Sequence, residues 1–188
     1  MRPSHVKNIC PQHPGYYAFL IFLFISGLNC VYAKESIEIA GDTILIGLPL
    51  TAYGISFLED DKTGTKQLSY SLAAVAVSTF ALKAAISKKR PDKSNDNSFP
   101  SGHTSITFSA ASYLRKRYGW QYGIPAYAAA SFTGYSRYAA EKHFVEDILI
   151  GALIGIITTE VLTVKCHTCS VSPNISSNFN GLTFSTLF

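Results

Sequence analysis

The sequence predicts an all-α, membrane-embedded bundle of about five to six helices, with a short C-terminal β-hairpin as a possible appendage. Three observations carry that prediction. Of 188 residues, 47% are apolar and 15% are charged, against roughly 25% charged in an average soluble domain. Uncharged stretches recur along the chain, each too long and too continuously apolar for an ordinary strand. Polar joints separate them. A soluble all-helical core is the alternative that these features leave open. The length is about one domain's worth. A net charge of +4 suits an anionic substrate or an anionic lipid surface. No basic run is interleaved with aromatics, so nucleic acid is not an expected partner.

Residues 1–33 read as a targeting segment. Arg2 and Lys7 supply positive charge, and Tyr16 to Leu28 is an uncharged apolar run. That run is short for a spanning helix and suits the apolar region of a signal peptide. Val31-Tyr32-Ala33 offers a cut after Ala33, and an uncleaved signal anchor is the other reading. Cys30 follows Asn29, which makes a poor lipoprotein box. Residues 34–165 hold the helical domain. Its uncharged stretches are Thr43 to Leu58, Gln67 to Leu82, His103 to Leu114, Gly119 to Ser136, and Ile148 to Val164 with Glu160 inside it. Each is slightly short of the ~20 residues of a perpendicular span, a gap that flanking side chains can close by snorkelling.

The joints set the expected topology. Glu59 to Lys66 is a charged turn, and Lys88 to Phe99 is a polar loop. Arg115-Lys116-Arg117 reads as a cytoplasmic anchor. Five crossings then place Lys88–Phe99 and Arg137–Glu146 together on the periplasmic side. In the tail, 166–188, Cys166 and Cys169 are two incidental or paired thiols, and a disulfide requires an oxidising compartment. Pro173, Asn174 and Gly181 mark turns, and the last eight residues alternate partly at period two, which predicts the hairpin.

Three blocks between Lys83 and Asp147 carry chemistry. Lys83 and Arg90 are seven apart, so on a helix they share a face. Pro91 disfavours helix at Arg90 and should end it there. Lys83 offers a point charge and Arg90 a planar fork to phosphate oxygens. Alone, this block is an ordinary basic helix end. Pro100-Ser101-Gly102-His103 reads as a helix start, with Ser101 as cap and Gly102 allowing close approach of an anion. Free N–H groups there suit a phosphate, and His103 in the first turn can donate a proton to a leaving oxygen. A loop histidine is more often simply solvated. His143 and Asp147 are four apart and share a face. A carboxylate on one ring nitrogen would fix the tautomer and leave the other free to attack phosphorus. Arg137 adds a third cation for oxygens that gain charge in the transition state. A His and Asp at this spacing is commonly a surface pair, and Glu141 and Glu146 read as solvated charges.

Taken together, Lys83 with Arg90-Pro91, Pro100-Ser101-Gly102-His103, and Ser136-Arg137 with His143 and Asp147 form the pattern K-x6-RP, PSGH, SR-x5-H-x3-D. In this the chain resembles the type 2 phosphatidic acid phosphatase (PAP2) superfamily, in its membrane lipid phosphatase branch. The resemblance covers about a third of the chain, with no departure at the eleven positions. It implies a phosphatase in which His143 is the nucleophile and forms a phosphohistidine. Asp147 would orient it, and His103 would protonate the leaving group. Lys83, Arg90, Ser101, Gly102 and Arg137 would hold the phosphoryl oxygens. It also implies no metal and no cofactor. The implied partners are a membrane and a phosphorylated lipid, either a phosphomonoester or a pyrophosphate, at the periplasmic face of a bacterial-type inner membrane. Three other readings stand beside it. They are a vanadium-dependent haloperoxidase, a soluble broad-specificity periplasmic acid phosphatase, and a non-catalytic membrane protein of the same fold.

Overall fold

The computed structural model describes residues 34–165, with side chains from 36, and the backbone of 169–176 and 179–186. The expected leader and the two tail thiols lie outside these described side chains. Five helices follow in order: α1 (Lys34–Leu58), α2 (Lys62–Ala85), α3 (Gly102–Tyr118), α4 (Trp120–Ala139) and α5 (Val145–Leu162). Strands β1 (Cys169–Ser176) and β2 (Phe179–Thr186) pair antiparallel, with Cys169 opposite Thr186 and Ser176 opposite Phe179. The molecule is thus the all-α bundle that the sequence predicts, and the hairpin is a minor addition.

Local chemistry sets the helix ends. Asp61 precedes α2, and its carboxylate accepts the free N–H of Gly64 at 2.8 Å. Ser101 caps α3 through its hydroxyl. Gly119 joins α3 to α4 at φ +94°, a region where a Cβ is costly and glycine is not.

Helix α3 is the hub and packs against all four others. Its contact with α5 is close because α5 presents Gly151 and Gly155 there. A Cβ on Gly155 would lie 2.3 Å from the Ser105 carbonyl oxygen, and one on Gly151 would lie 2.5 Å from that of Ser101. Small residues four apart let two backbones approach in this way. Hydroxyls fill the seam, with Ser109 and Thr159 bonded at 2.7 Å.

The interior is rich in serine and threonine, while large apolar side chains point outward. Ser71, Thr104, Ser105, Ser109 and Thr133 are fully buried, and Phe57 is 82% and Val161 76% exposed. An apolar exterior of this kind marks a surface meant for something other than water. Two helices, Ser36–Leu58 and Lys62–Ala85, are long and apolar enough to cross a membrane.

The basic run ending α3 is paired within the bundle. Arg117 holds Asp61 with two nitrogens at 2.6 Å each. Lys116 lies 3.3 Å from Glu160, which Arg115 also contacts. The three cations face acidic groups on neighbouring elements, so the run ties helices together.

Candidate active site

Two loops at the other end of the bundle build the site. The chain leaves α2 at Ala85 and folds back on itself. Lys88 N–H donates to Asp96 O at 2.9 Å, Ser98 N–H to Lys88 O at 2.9 Å, and Arg90 N–H to Asn95 O at 3.0 Å. These bonds end the helix five residues before Arg90, so Lys83 and Arg90 do not share one helix face as expected. They approach from a helix and a loop. The second loop joins α4 to α5. Asp92 N–H donates to Glu141 O at 3.1 Å, and Lys142 pairs with Asp92 at 3.2 Å, which clamps the two loops together.

His143 sits on the second loop and is 3% exposed. Its Nδ1 lies 2.6 Å from the Ser98 carbonyl oxygen. A carbonyl can only accept, so Nδ1 carries the hydrogen and Nε2 keeps its lone pair. Burial lowers the pKa of His143 to about 4; the Ser98 bond and Asp147 oppose this, while Lys83 and Arg90 reinforce it. The ring is therefore neutral at pH 7, with a free nitrogen in the field of two cations.

Asp147 does not contact that ring as expected. Its carboxylate accepts from Lys88 Nζ at 2.6 Å, Ser98 Oγ at 2.5 Å and Phe144 N–H at 3.0 Å. It thus holds Ser98, whose carbonyl holds His143. Asp147 sits in the first turn of α5, where its bond to the Phe144 N–H doubles as a helix cap. That geometry turns the carboxylate toward the first loop. Glu146 stays largely exposed, as expected, and also pairs with Lys88 at 2.8 Å. Burial opposes the Lys88 charge, but its bonds to Asp147 and Glu146 outweigh this and raise its pKa above the ordinary value.

His103 stands in the first turn of α3, as expected. Its Nε2 donates to Asp42 on α1 at 2.8 Å. Arg137, at the end of α4 and almost fully buried, divides its fork. One nitrogen pairs with Asp42 at 2.9 Å, another donates to the Glu38 carbonyl at 2.6 Å, and Nε donates to Ser136 Oγ at 3.2 Å. Ser101 is buried, with its hydroxyl 2.9 Å from that of Thr104. A Cβ on Gly102 would meet Thr79 at an ordinary 3.7 Å, so packing does not require glycine there. Lys83 Nζ donates to Asn97 O at 2.8 Å. Arg90 Nε is buried without a hydrogen-bond partner. Such an orphaned donor is costly unless an acceptor arrives. Among the described residues, no group of three or more His, Cys, Asp or Glu is placed to hold a metal ion.

All eight residues singled out from the sequence therefore lie at one end of the bundle, on α2, α3, α4, α5 and two loops. The PAP2 superfamily pattern matches residues 64–169. The chain belongs to the PAP2 superfamily. Two curated relatives add detail. A lipid A 4'-phosphatase of Helicobacter pylori is 31% identical over 181 residues, covering 85% of this chain and 91% of the relative. A lipid A 1-phosphatase of Porphyromonas gingivalis is 34% identical over 119 residues, covering 60% of this chain. The chain spans about a quarter of the length of that second relative, 26%. In fold, this PAP2 chain is similar to the crystal structure of Aquifex aeolicus LpxE, with TM-score 0.53 at 22% identity, over 76% of this chain and 93% of that one. Family and relatives make it a phosphatase.

Four residues around the PAP2 motifs escaped the sequence reading: Glu38, Asp42, Lys88 and Ser98. A signal existed for two of them. Glu38 and Asp42 are one helical turn apart, immediately before the apolar run that starts at Thr43. Ionisable residues in such a helix mark functional sites by default. Ser98 acts mainly through its backbone carbonyl, which every residue type possesses, so nothing in its identity could have revealed it.

Proposed function

We propose that the chain is a metal-independent lipid phosphate phosphatase. It would act through a phosphohistidine on His143, at the periplasmic face of a bacterial-type inner membrane. The observation that carries the mechanism is the Ser98 carbonyl on Nδ1, which leaves Nε2 unprotonated. Nε2 attacks phosphorus, and the ester P–O bond breaks with its electron pair going to the leaving oxygen. His103, doubly protonated with its Nε2–H held by Asp42, gives that oxygen the proton on Nδ1. Water then attacks the phosphorus and gives a proton to His103, and the N–P bond electrons return to His143. Lys83, Arg90 and Arg137 hold the phosphoryl oxygens as charge develops on them, and the unpartnered Arg90 Nε is a ready donor. Ser101 sets the start of α3, and Gly102 leaves space above its N–H groups. Asp147 positions His143 through Ser98.

The apolar exterior and the lipid A phosphatases among the relatives support a lipid substrate. The same exterior counts against the soluble acid phosphatase reading. The test is phosphate release by detergent-purified protein from a panel of lipid phosphates and one small soluble ester, with a chelator present. Release from a lipid that survives the chelator and is lost in His143→Ala is the expected result. Undiminished release by His143→Ala removes the nucleophile, and release from the soluble ester alone removes the lipid reading.

A further inference from the structure

The two histidines have different neighbours. Lys83 and Arg90 act on His143, whereas α1 brings one carboxylate, Asp42, to His103, where Arg137 also acts on the ring. Asp42 bridges His103 Nε2 at 2.8 Å and Arg137 at 2.9 Å. Glu38, one turn earlier, lies 3.9 Å from both Arg137 and Lys142. The approach of α1 to α4 is tight here, because a Cβ on Gly41 would fall 1.9 Å from Ser136 Oγ and 2.8 Å from an Arg137 nitrogen. The two acids are therefore held at the site by backbone packing, and about half of the Asp42 side chain stays exposed.

In a displacement at phosphorus, the leaving oxygen departs opposite the nucleophile, on the side of the acid that protonates it. In the reading proposed above, on which this inference rests, that is the His103 side. Whatever the leaving oxygen is attached to then meets Asp42, with Glu38 one turn away on α1 beside Arg137 and Lys142. A leaving phosphate, as from a pyrophosphate, brings negative charge against them. A leaving alcohol brings none, and neighbouring hydroxyls can donate to the carboxylates. We propose that Asp42 and Glu38 select the leaving group, so that the enzyme prefers phosphomonoesters of neutral alcohols over pyrophosphates. Asp42 would act twice, by orienting His103 and by repelling an anionic leaving group.

The experiment compares kcat/KM for two lipids of the same chain, one a monophosphate and one a diphosphate. The proteins are wild type, Asp42→Asn and Glu38→Gln. The expected result is a monoester preference in the wild type that narrows about tenfold in Asp42→Asn, as loss of a ~1.4 kcal/mol repulsion would give. It should narrow less in Glu38→Gln, with a Tm in detergent like the wild type's. If Asp42→Asn does not fold, narrowing in Glu38→Gln carries the test. Equal loss of rate on both lipids, with the ratio unchanged, overturns the proposal and leaves Asp42 as a support for His103. A wild type that prefers the diphosphate overturns it as well. Silence of the wild type toward both lipids and the soluble ester overturns the phosphatase mechanism, and this proposal with it.

Discussion

His143 shows how much of its chemistry depends on one bond that the sequence conceals. The spacing to Asp147 located both residues but suggested direct contact between them. In the structure the backbone of Ser98 intervenes, because the carboxylate also caps α5 and accepts from Lys88. Burial, outweighing the Ser98 bond, moves the His143 pKa from 6.5 to about 4. The sign follows. Between those values the unfolded chain binds a proton that the folded one does not, so stability is full above pH 6.5 and falls as pH drops toward 4. A histidine-labelled NMR titration, assigned by His143→Gln, should give a midpoint near 4; one near 6.5 would contradict the buried neutral ring. Lys88 offers a second check. It faces Asp147, which has no exposed surface, and removing one partner leaves a buried charge partly uncompensated. Lys88→Met should lower Tm by about 5 °C, while the same change at exposed Lys89 should do little. Equal effects would mean that the pair contributes nothing specific.

At the scale of elements, the helices were legible because long uncharged runs separated by polar joints leave few other structures. All five expected runs became helices. The end of α2 was not legible, since Pro91 marks a limit and the pairing of Lys88 and Arg90 with 95–98 stops the helix sooner. The α1 acids were missed because they precede the apolar run and lie far from the motifs in sequence. The α3–α5 crossing yields a prediction that rests on packing behind the site. Gly151→Ala would press on the Ser101 carbonyl and Gly155→Ala on that of Ser105. Both must shift the start of α3, which carries His103. A displacement of about 1 Å can cost about a hundredfold in rate, so each variant should lose about that much kcat. Gly47→Ala and Gly54→Ala, where a Cβ meets nothing within 4 Å, should keep full activity. Similar loss in all four would show that helix crossing distance is not the cause.

At the scale of the whole molecule, charge gathers at the two ends of the bundle and apolar side chains cover its flanks. Carbonate washing of membranes should therefore leave the protein in the pellet, and detergent should release it. Recovery in the wash would reject the embedded bundle. The motifs made the site legible because their residues, in the reading proposed above, would hold one phosphate. Orientation and substrate depend on surfaces that no motif records.

The hydroxyl-lined interior also bears on how this chain can drift. In a soluble protein the outside varies freely and the inside resists. Here an outward position such as Ile46, Phe57 or Val161 can exchange with any apolar residue, because a fluid of hydrocarbon tails has no fixed shape to match. An inward serine such as Ser105 or Ser109 has a helix backbone against it and accepts little beyond glycine or alanine. Divergent descendants should then differ most in their oily residues and least in their small ones.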